Sequence, residues 1–336
     1  MGIERTKFDK FYSLSANNIT TDIEINEATY LAVAINSQEA AYSTDGITWT
    51  ARTMPVSAFW RDITHDGNGA FVAVSDYLSG SSAQVAASST DGITWIQRTL
   101  PVAAGWDAVT HGNGTFVAVA RSSQVAAAST DGITWIQGTL PNANANWEDV
   151  TYGNGTFVAV AYNTAAIQVA TSTNGITWTQ RTMPLTGRYR SVAYGNGKFV
   201  AVIHNNTTAA TSTNGITWTS VELPAYAQWR SITYGNGKFV AVASFTTAAT
   251  SSTDGITWTL AAMPIGISWR SVAYGNGTFV AVAYNSSTAA SSTDGITWTG
   301  RSLLSQKSWI SIAYDTPLVT RERDVAEQIS RISGLL

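Results

Sequence analysis

The chain has 336 residues, a formal net charge of −3, no cysteine, and only 12% charged residues. Without clustered Lys and Arg it lacks the means to neutralise phosphates, so we expect no nucleic-acid partner. The absence of cysteine excludes disulfide and cysteine–zinc frameworks. No apolar run reaches the length of a signal peptide or a membrane span, so we expect neither a signal peptide nor membrane insertion.

The chain begins with a segment that shares no motif with the remainder of the sequence. Residues 1–20 predict an N-terminal extension, and residues 21–315 predict one repetitive domain. Thr21–Ile25 (TDIEI) is a candidate strand just ahead of Tyr30–Ala34 (YLAVA), whose composition is typical of a buried strand.

One heptapeptide, STDGITW or STNGITW, then occurs seven times. Successive copies are spaced by 46, 40, 43, 40, 40 and 40 residues. A period near 40 with several short strands per unit predicts the blades of a β-propeller. The Asp or Asn before each glycine marks a hairpin turn, and we expect its side chain to accept nearby backbone N–H groups. These turn residues are Asp45, Asp91, Asp131, Asn174, Asn214, Asp254 and Asp294.

The unit from Tyr189 to Pro224 shows how four strands are predicted. YRSVAY precedes a GNG turn, and the apolar KFVAVI comes after it. A loop leads to a third strand, the Asn214-Gly215 turn comes next, and ITWTSVEL is the fourth strand. Seven units of this kind predict an all-β, seven-bladed propeller with four antiparallel strands per blade.

Trp309–Tyr314 (WISIAY) has the sequence pattern of the strand that opens each blade, and it comes after the seventh turn. The first unit of the chain, in contrast, has only strands two to four of a blade. We therefore predict that this C-terminal strand closes the ring by pairing with residues 29–34, which removes an open sheet edge. Thr21–Ile25 remains the alternative closing strand.

The tail, residues 316–336, places Val325, Ile329, Ile332 and Leu336 on one helical face. We expect a short helix, which either packs on the propeller or serves attachment or oligomerisation.

The heptapeptide resembles the Asp-box, or BNR repeat, of sialidase-like propellers, although the spacer between the acid and the glycine is missing. The resemblance implies that these turns are structural and lie away from the working face. The YGNG-[KT]-FVAV unit resembles repeats of phage tail and bacterial surface proteins.

Strand order predicts two unlike ends. The GNG and Asp-Gly turns share one end and barely vary, whereas the loops between strands two and three and the linkers between blades vary at the other. Recognition usually resides in such variable loops. Large side chains expected there are Tyr77, Tyr162, Arg188 and Tyr226.

Arginines that come directly after an aromatic residue recur where a linker enters a first strand, at Arg61, Arg190, Arg230 and Arg270. They either bind a sugar with the aromatic ring or satisfy linker carbonyls while the ring packs between blades. Acidic residues at related positions would divide the central opening into basic and acidic halves, at Asp62, Asp107, Glu148 and Asp149.

No catalytic set can be assigned, because a sialidase would need a Tyr–Glu nucleophile pair. We also expect no metal and no cofactor, because the histidines are scattered and a two-residue turn offers too few oxygens for Ca²⁺. The resulting prediction is a non-enzymatic virion protein of a bacteriophage: a tail-fibre, receptor-binding or decoration component. Its expected partners are other virion proteins or a host surface glycan, and homo-oligomerisation is left open. The alternatives are a carbohydrate-binding lectin outside a virion and a sialidase-like glycoside hydrolase.

Overall fold

The computed structural model describes residues 29–78, 81–142, 145–163 and 169–315. Throughout these ranges the chain forms antiparallel β-strands and contains no helix. The strands are β1 Thr29–Ser43, β2 Thr50–His65, β3 Phe71–Ser75, β4 Tyr77–Leu78, β5 Ser81–Ser89, β6 Ile96–Gly112, β7 Thr115–Arg121, β8 Val125–Ser129, β9 Ile136–Thr139, β10 Asn146–Gly153, β11 Thr156–Asn163, β12 Val169–Ser172, β13 Thr179–Arg181, β14 Gly187–Gly195, β15 Lys198–Ser212, β16 Thr219–Gly235, β17 Lys238–Ser252, β18 Thr259–Gly275, β19 Thr278–Ala283, β20 Ser286–Ser292, β21 Thr299–Lys307 and β22 Trp309–Asp315.

The strands adopt the propeller arrangement predicted from the repeat. β14 pairs with the first half of β15, and the second half of β15 pairs with the first half of β16. The remainder of β16 then opens the next blade by pairing with β17. A single long strand thus serves two blades, because the linker between them stays extended.

The GNG turns form because asparagine and glycine tolerate positive φ. In the turn after β14, Asn196 has φ 46° and Gly197 has φ 73°, as a two-residue hairpin requires. The glycine that precedes this asparagine serves packing. A Cβ on Gly195 would lie 2.0 Å from the ring of Tyr234 in the next blade. The turn sequence therefore sets the spacing between blades as well as the hairpin.

The core is divided into repeated clusters of buried side chains, and seven are found among the described residues. Each contains an aromatic residue from the start of a first strand and a tryptophan from a heptapeptide. Trp229 is fully buried, and Trp258 of the same cluster is 9% exposed. The repeated tryptophans are therefore core residues.

The predicted pairing of the C-terminal strand is confirmed. β22 is antiparallel to the first part of β1, with Thr29 opposite Asp315 and Tyr30 opposite Tyr314. Trp309 at its start is fully buried. The competing segment Thr21–Ile25, the N-terminal extension and the expected C-terminal helix all lie outside the described residues.

The two ends of the blades differ as the sequence predicted. The GNG and Asp-Gly turns lie at one end, which we call the scaffold face. The turns from second to third strands and the linkers lie at the other end, which we call the mouth face. Within the described residues, no helix could span a membrane by length and apolarity.

Candidate functional site

Every first strand carries a β-bulge just after its buried aromatic residue. The register slips between Trp229 and Ser231, for example, and leaves Arg230 as the extra residue. A bulge re-aims the side chain of the extra residue. The same slip occurs at seven places, at Arg61, Asp107, Glu148, Arg190, Arg230, Arg270 and Ile310.

These seven bulge residues line one cavity of about 100 Å³ that is open to solvent. The residues that come directly after the bulges, which are serines, aspartates and one alanine, complete its wall. The sequence predicted a mixed basic and acidic opening from the charges, and the bulges are the physical reason that the charges meet there. We call this cavity the central mouth.

The residue after each bulge fastens one blade to the next. Its side-chain oxygen usually accepts a hydrogen bond from a backbone N–H of the following blade. Asp62 accepts from Val109 at 2.8 Å, Asp149 from Val192 at 2.8 Å, Ser191 from Ile232 at 3.2 Å, Ser231 from Val272 at 3.2 Å and Ser271 from Ile312 at 3.2 Å. Ser311 instead donates to Asp62 at 2.6 Å, across 249 residues of sequence.

Ala108 is the exception, since it has no side-chain oxygen. In the following blade, Asp149 accepts a hydrogen bond from the backbone N–H of Val150 at 2.7 Å while also accepting from Val192. The aspartates in this position thus have a structural reason to be present. Burial, followed by the repulsion of Asp149, raises the pKa of Asp62 to about 7, and burial raises the pKa of Asp149 to about 6.

The charged side chains on one side of the mouth neutralise each other. Arg61 lies 3.0 Å from Asp76 and 3.3 Å from Asp107, and Arg121 contacts both of these carboxylates. A second ion-pair group surrounds Glu148, which contacts Arg190 and lies 3.0 Å from Arg188. Arg61 and Arg190 therefore satisfy carboxylates rather than the linker carbonyls expected from the sequence.

Arg230 and Arg270 differ from the other arginines of the mouth. Within the described residues neither forms a salt bridge. Arg230 donates from Nε to the Ser244 hydroxyl at 3.2 Å, and the Arg270 guanidinium lies 4.7 Å from the centre of the Tyr284 ring. Nη1 of Arg230 and Nε of Arg270 are buried without a hydrogen-bond partner. Burial, followed by the positive charges of neighbouring arginines, lowers the pKa of Arg230, and the Asp107 carboxylate offsets only part of this effect.

A histidine that carried no predicted role lies beside this basic part of the mouth. His204 ends the second strand of its blade, and burial together with Arg230, Arg188 and Arg190 lowers its pKa to about 4. Its imidazole is therefore neutral at pH 7, with an unprotonated nitrogen that can accept a hydrogen bond or a proton.

The predicted mouth-face residues reach different surroundings. Arg188 lies 5.2 Å from the centre of the Tyr162 ring and pairs with Glu148, which lines the central mouth. Tyr226 is 68% exposed in its linker. Tyr77 lies in the short strand β4, and the structure does not describe its side chain.

Phe245 is a candidate site residue that sequence reasoning missed. It lies within β17, at the tight bend between the second and third strands of its blade, with φ 57°, and is 68% exposed. A bulky side chain at positive φ is an outlier, and such strain clusters at functional sites. Comparing the repeats could have revealed it, because four equivalent turns place a small polar residue at this position: Asn36, Ser122, Asn205 and Asn285.

The Asp-Gly turns on the scaffold face use their side chains internally. Asp254 accepts from the backbone N–H groups of Ile256 and Thr257, both at 2.8 Å, and from the Ser252 hydroxyl at 2.9 Å. These hydrogen bonds lower its pKa to about 2. Among the described residues, no group of three His, Cys, Asp or Glu side chains is placed to hold a metal ion.

The comparisons with known proteins concern the fold. The chain matches no protein-family model and no curated protein sequence. It is similar to a streptogramin B lyase structure, with a TM-score of 0.68 and 13% identity over 85% of this chain and 91% of that one. It is also similar to a catalytically inactive histidine-to-alanine variant of virginiamycin B lyase from Staphylococcus aureus with quinupristin. The TM-score is 0.67, and the identity is 13% over 83% of this chain and 89% of that one.

A second kind of propeller also matches. YCF48 bound to D1 peptide gives a TM-score of 0.57 and 16% identity, over 80% of this chain and 86% of that one. Both kinds of neighbour are β-propellers, so the similarity shows that fold for this chain. The finer resemblance to Asp-box repeats stays a prediction.

The prediction that the chain is not an enzyme is wrong. It rested on the lack of an assignable catalytic set, yet virginiamycin B lyase, whose structure resembles that of this chain, is an enzyme. The residues sought were those of a sialidase, which is only one of the chemistries that a propeller can carry. At 13% identity the similarity shows the shared fold and no particular reaction.

Proposed function

We propose that this chain is a seven-bladed propeller whose ring is closed by β22, and that it recognises a ligand through its mouth face. Seven core clusters, seven bulges and the β1–β22 pairing support this number and this closure. The observation that carries the function is the set of bulges, which directs charged side chains from separate blades into one solvent-open cavity.

The setting we propose is a bacteriophage virion, with the chain as a tail-fibre, receptor-binding or decoration component. The resemblance of its YGNG repeat to phage tail proteins supports this setting. The ligand would then be a host surface glycan or a neighbouring virion protein. A lectin outside a virion would use the same mouth, and a sialidase-like hydrolase remains a further alternative.

The test compares matched variants of the two faces. The mouth-face variant combines Tyr162→Ala, Tyr226→Ala and Phe245→Ala, whose parent side chains are 37%, 68% and 68% exposed. The scaffold-face control combines Ile216→Ala, Ile256→Ala and Ile296→Ala, whose parent side chains are 46%, 49% and 38% exposed. Adsorption of labelled protein to candidate host cells and to a glycan array is measured for both.

We expect the mouth-face variant to lose adsorption and the control to keep it, since exposed aromatic anchors contribute roughly 2 kcal/mol or more each at hot spots. Equal losses, or a loss in the control alone, would sink the assignment of recognition to the mouth. Glycan binding by protein that does not associate with virions would favour the lectin.

A second candidate is an enzyme that works at the same mouth, and the neutral imidazole of His204 favours it. His204 is unprotonated at neutral pH and can accept a proton, although its lowered pKa makes it a weak base. Incubation with a streptogramin B antibiotic and with a fluorogenic glycoside panel tests this candidate. Turnover abolished by His204→Ala and unaffected by His111→Ala, which lies on the scaffold face, would establish it.

A further inference from the structure

The hydroxyl protons of the mouth serines divide into two groups. Ser311 donates its proton to Asp62 at 2.6 Å, and Ser191 donates to Asp149. Ser231 and Ser271 accept a backbone N–H through their oxygens, at 3.2 Å in each case, and within the described residues their own protons have no acceptor. These two hydroxyls are therefore free to donate to a ligand in the cavity.

The same two blades carry the two arginines that lack a carboxylate partner. Arg230 and Arg270 precede Ser231 and Ser271 directly, and all four residues line the central mouth. Each blade thus contributes a guanidinium with a buried unpartnered nitrogen and a serine hydroxyl. The two guanidiniums form no salt bridge within the described residues, and together with the two hydroxyls they favour an anion in the cavity.

We propose that Arg230, Arg270, Ser231 and Ser271 anchor a doubly charged tetrahedral oxyanion, as a phosphate monoester presents. The inference rests on the proposed function and names the ligand class of its mouth. A carboxylate would neutralise only one guanidinium. A phosphate monoester carries about −1.5 to −2 at pH 7 and has three peripheral oxygens, which suits donors that approach from two neighbouring blades.

The chain itself suggests the sharpest variant. Two blades have aspartate where Ser231 stands, at Asp62 and Asp149, and both aspartates still accept the N–H of the next blade. Ser231→Asp should therefore keep the contact between blades while placing a carboxylate inside the anion site. We expect this variant to fold with a Tm at or above that of the parent and to lose phosphate binding.

Binding is measured by isothermal titration at pH 7.5 and low salt with inorganic phosphate, sulfate, acetate and glucose 6-phosphate. The parent should bind phosphate and sulfate at least about tenfold more tightly than acetate. Arg230→Gln with Arg270→Gln should weaken phosphate binding by roughly 10- to 100-fold, the range expected for lost charged hydrogen bonds. Arg301→Gln is the control, because Arg301 donates to Ser291 on an outer strand.

An unchanged phosphate Kd in Ser231→Asp, or acetate binding as tight as phosphate, would overturn the proposal. Tighter binding of glucose 6-phosphate than of free phosphate identifies a phosphorylated sugar as the source, and equal binding identifies the free ion. Host adsorption that persists without phosphate binding contradicts this inference alone. Phosphate binding without any adsorption contradicts the proposed recognition function alone.

Discussion

Phe245 shows how one residue can mark a site against the local rules of the fold. Its turn needs a positive φ, which asparagine adopts at little cost and an aromatic residue does not. The ring is 68% exposed, so it gains little from packing, and Ser244 beside it accepts a hydrogen bond from Arg230. A strained, exposed aromatic residue at the edge of the mouth is consistent with a contact to a ligand.

Phe245→Asn should therefore raise stability and lower binding together. Relief of the left-handed strain is worth roughly 1–2 kcal/mol, which chemical denaturation would detect as a higher midpoint with the same slope. Adsorption to the host surface should fall in parallel. A variant that is more stable yet adsorbs normally would assign the strain no role in recognition.

The Asp-Gly turns provide a comparison that the chain already contains. Asn174 accepts the same two backbone N–H groups as the aspartates do, at 2.9 and 3.0 Å. Asp254→Asn should then cost only a few tenths of a kcal/mol, whereas Asp254→Ala removes the acceptor and should cost about 1–2 kcal/mol. Thermal unfolding of the two variants measures both costs. Equal losses of stability in Asp254→Asn and Asp254→Ala would show that the negative charge, and not the hydrogen-bond acceptor, stabilises the turn.

At the scale of the elements, the strands and hairpin turns could be predicted because their signals are local. Asn196-Gly197 and the apolar second strands identify themselves within a few residues. The bulges could not be predicted, since nothing in the residues around Arg230 marks an extra residue in the pairing. The β1–β22 pairing was predicted from the count of first strands, which is information that only a repeat supplies.

Truncation provides a matched test of β22. A chain that ends after Asp315 keeps the whole strand, and we expect its Tm to equal that of the full chain. Ending after Ser308 removes Trp309, which is fully buried, and exposes the edge of β1. The free energy of unfolding should fall by more than the roughly 3–5 kcal/mol that truncating one buried aromatic side chain costs. Similar melting temperatures for the two truncations would contradict closure by this strand.

For the whole molecule, the sequence predicted which charges line the mouth but not how they pair. Glu148 contacts Arg190 of the following blade, and Arg61 reaches Asp107 of the next one, so each pairing depends on how neighbouring blades are set against each other. The unpaired arginines result from the same geometry. Arg230 and Arg270 are adjacent in the ring, and no bulge residue beside them is acidic.

Glu148 should therefore reduce the positive charge of the mouth, and Glu148→Gln should increase that charge. The change removes the carboxylate that Arg188 and Arg190 share, so we expect a stability loss of about 1–3 kcal/mol, because the side chain is buried and hydrogen-bonded. The freed Arg190 adds a third guanidinium without a salt bridge beside Arg230 and Arg270. A ligand that binds only the folded state raises Tm according to its affinity. Inorganic phosphate should consequently raise the Tm of this variant more than that of the parent.

Glu222→Gln, in an exposed outer-strand position, is the control and should respond as the parent does. Equal phosphate-induced shifts in all three proteins would mean that the charge balance of the mouth does not govern anion binding.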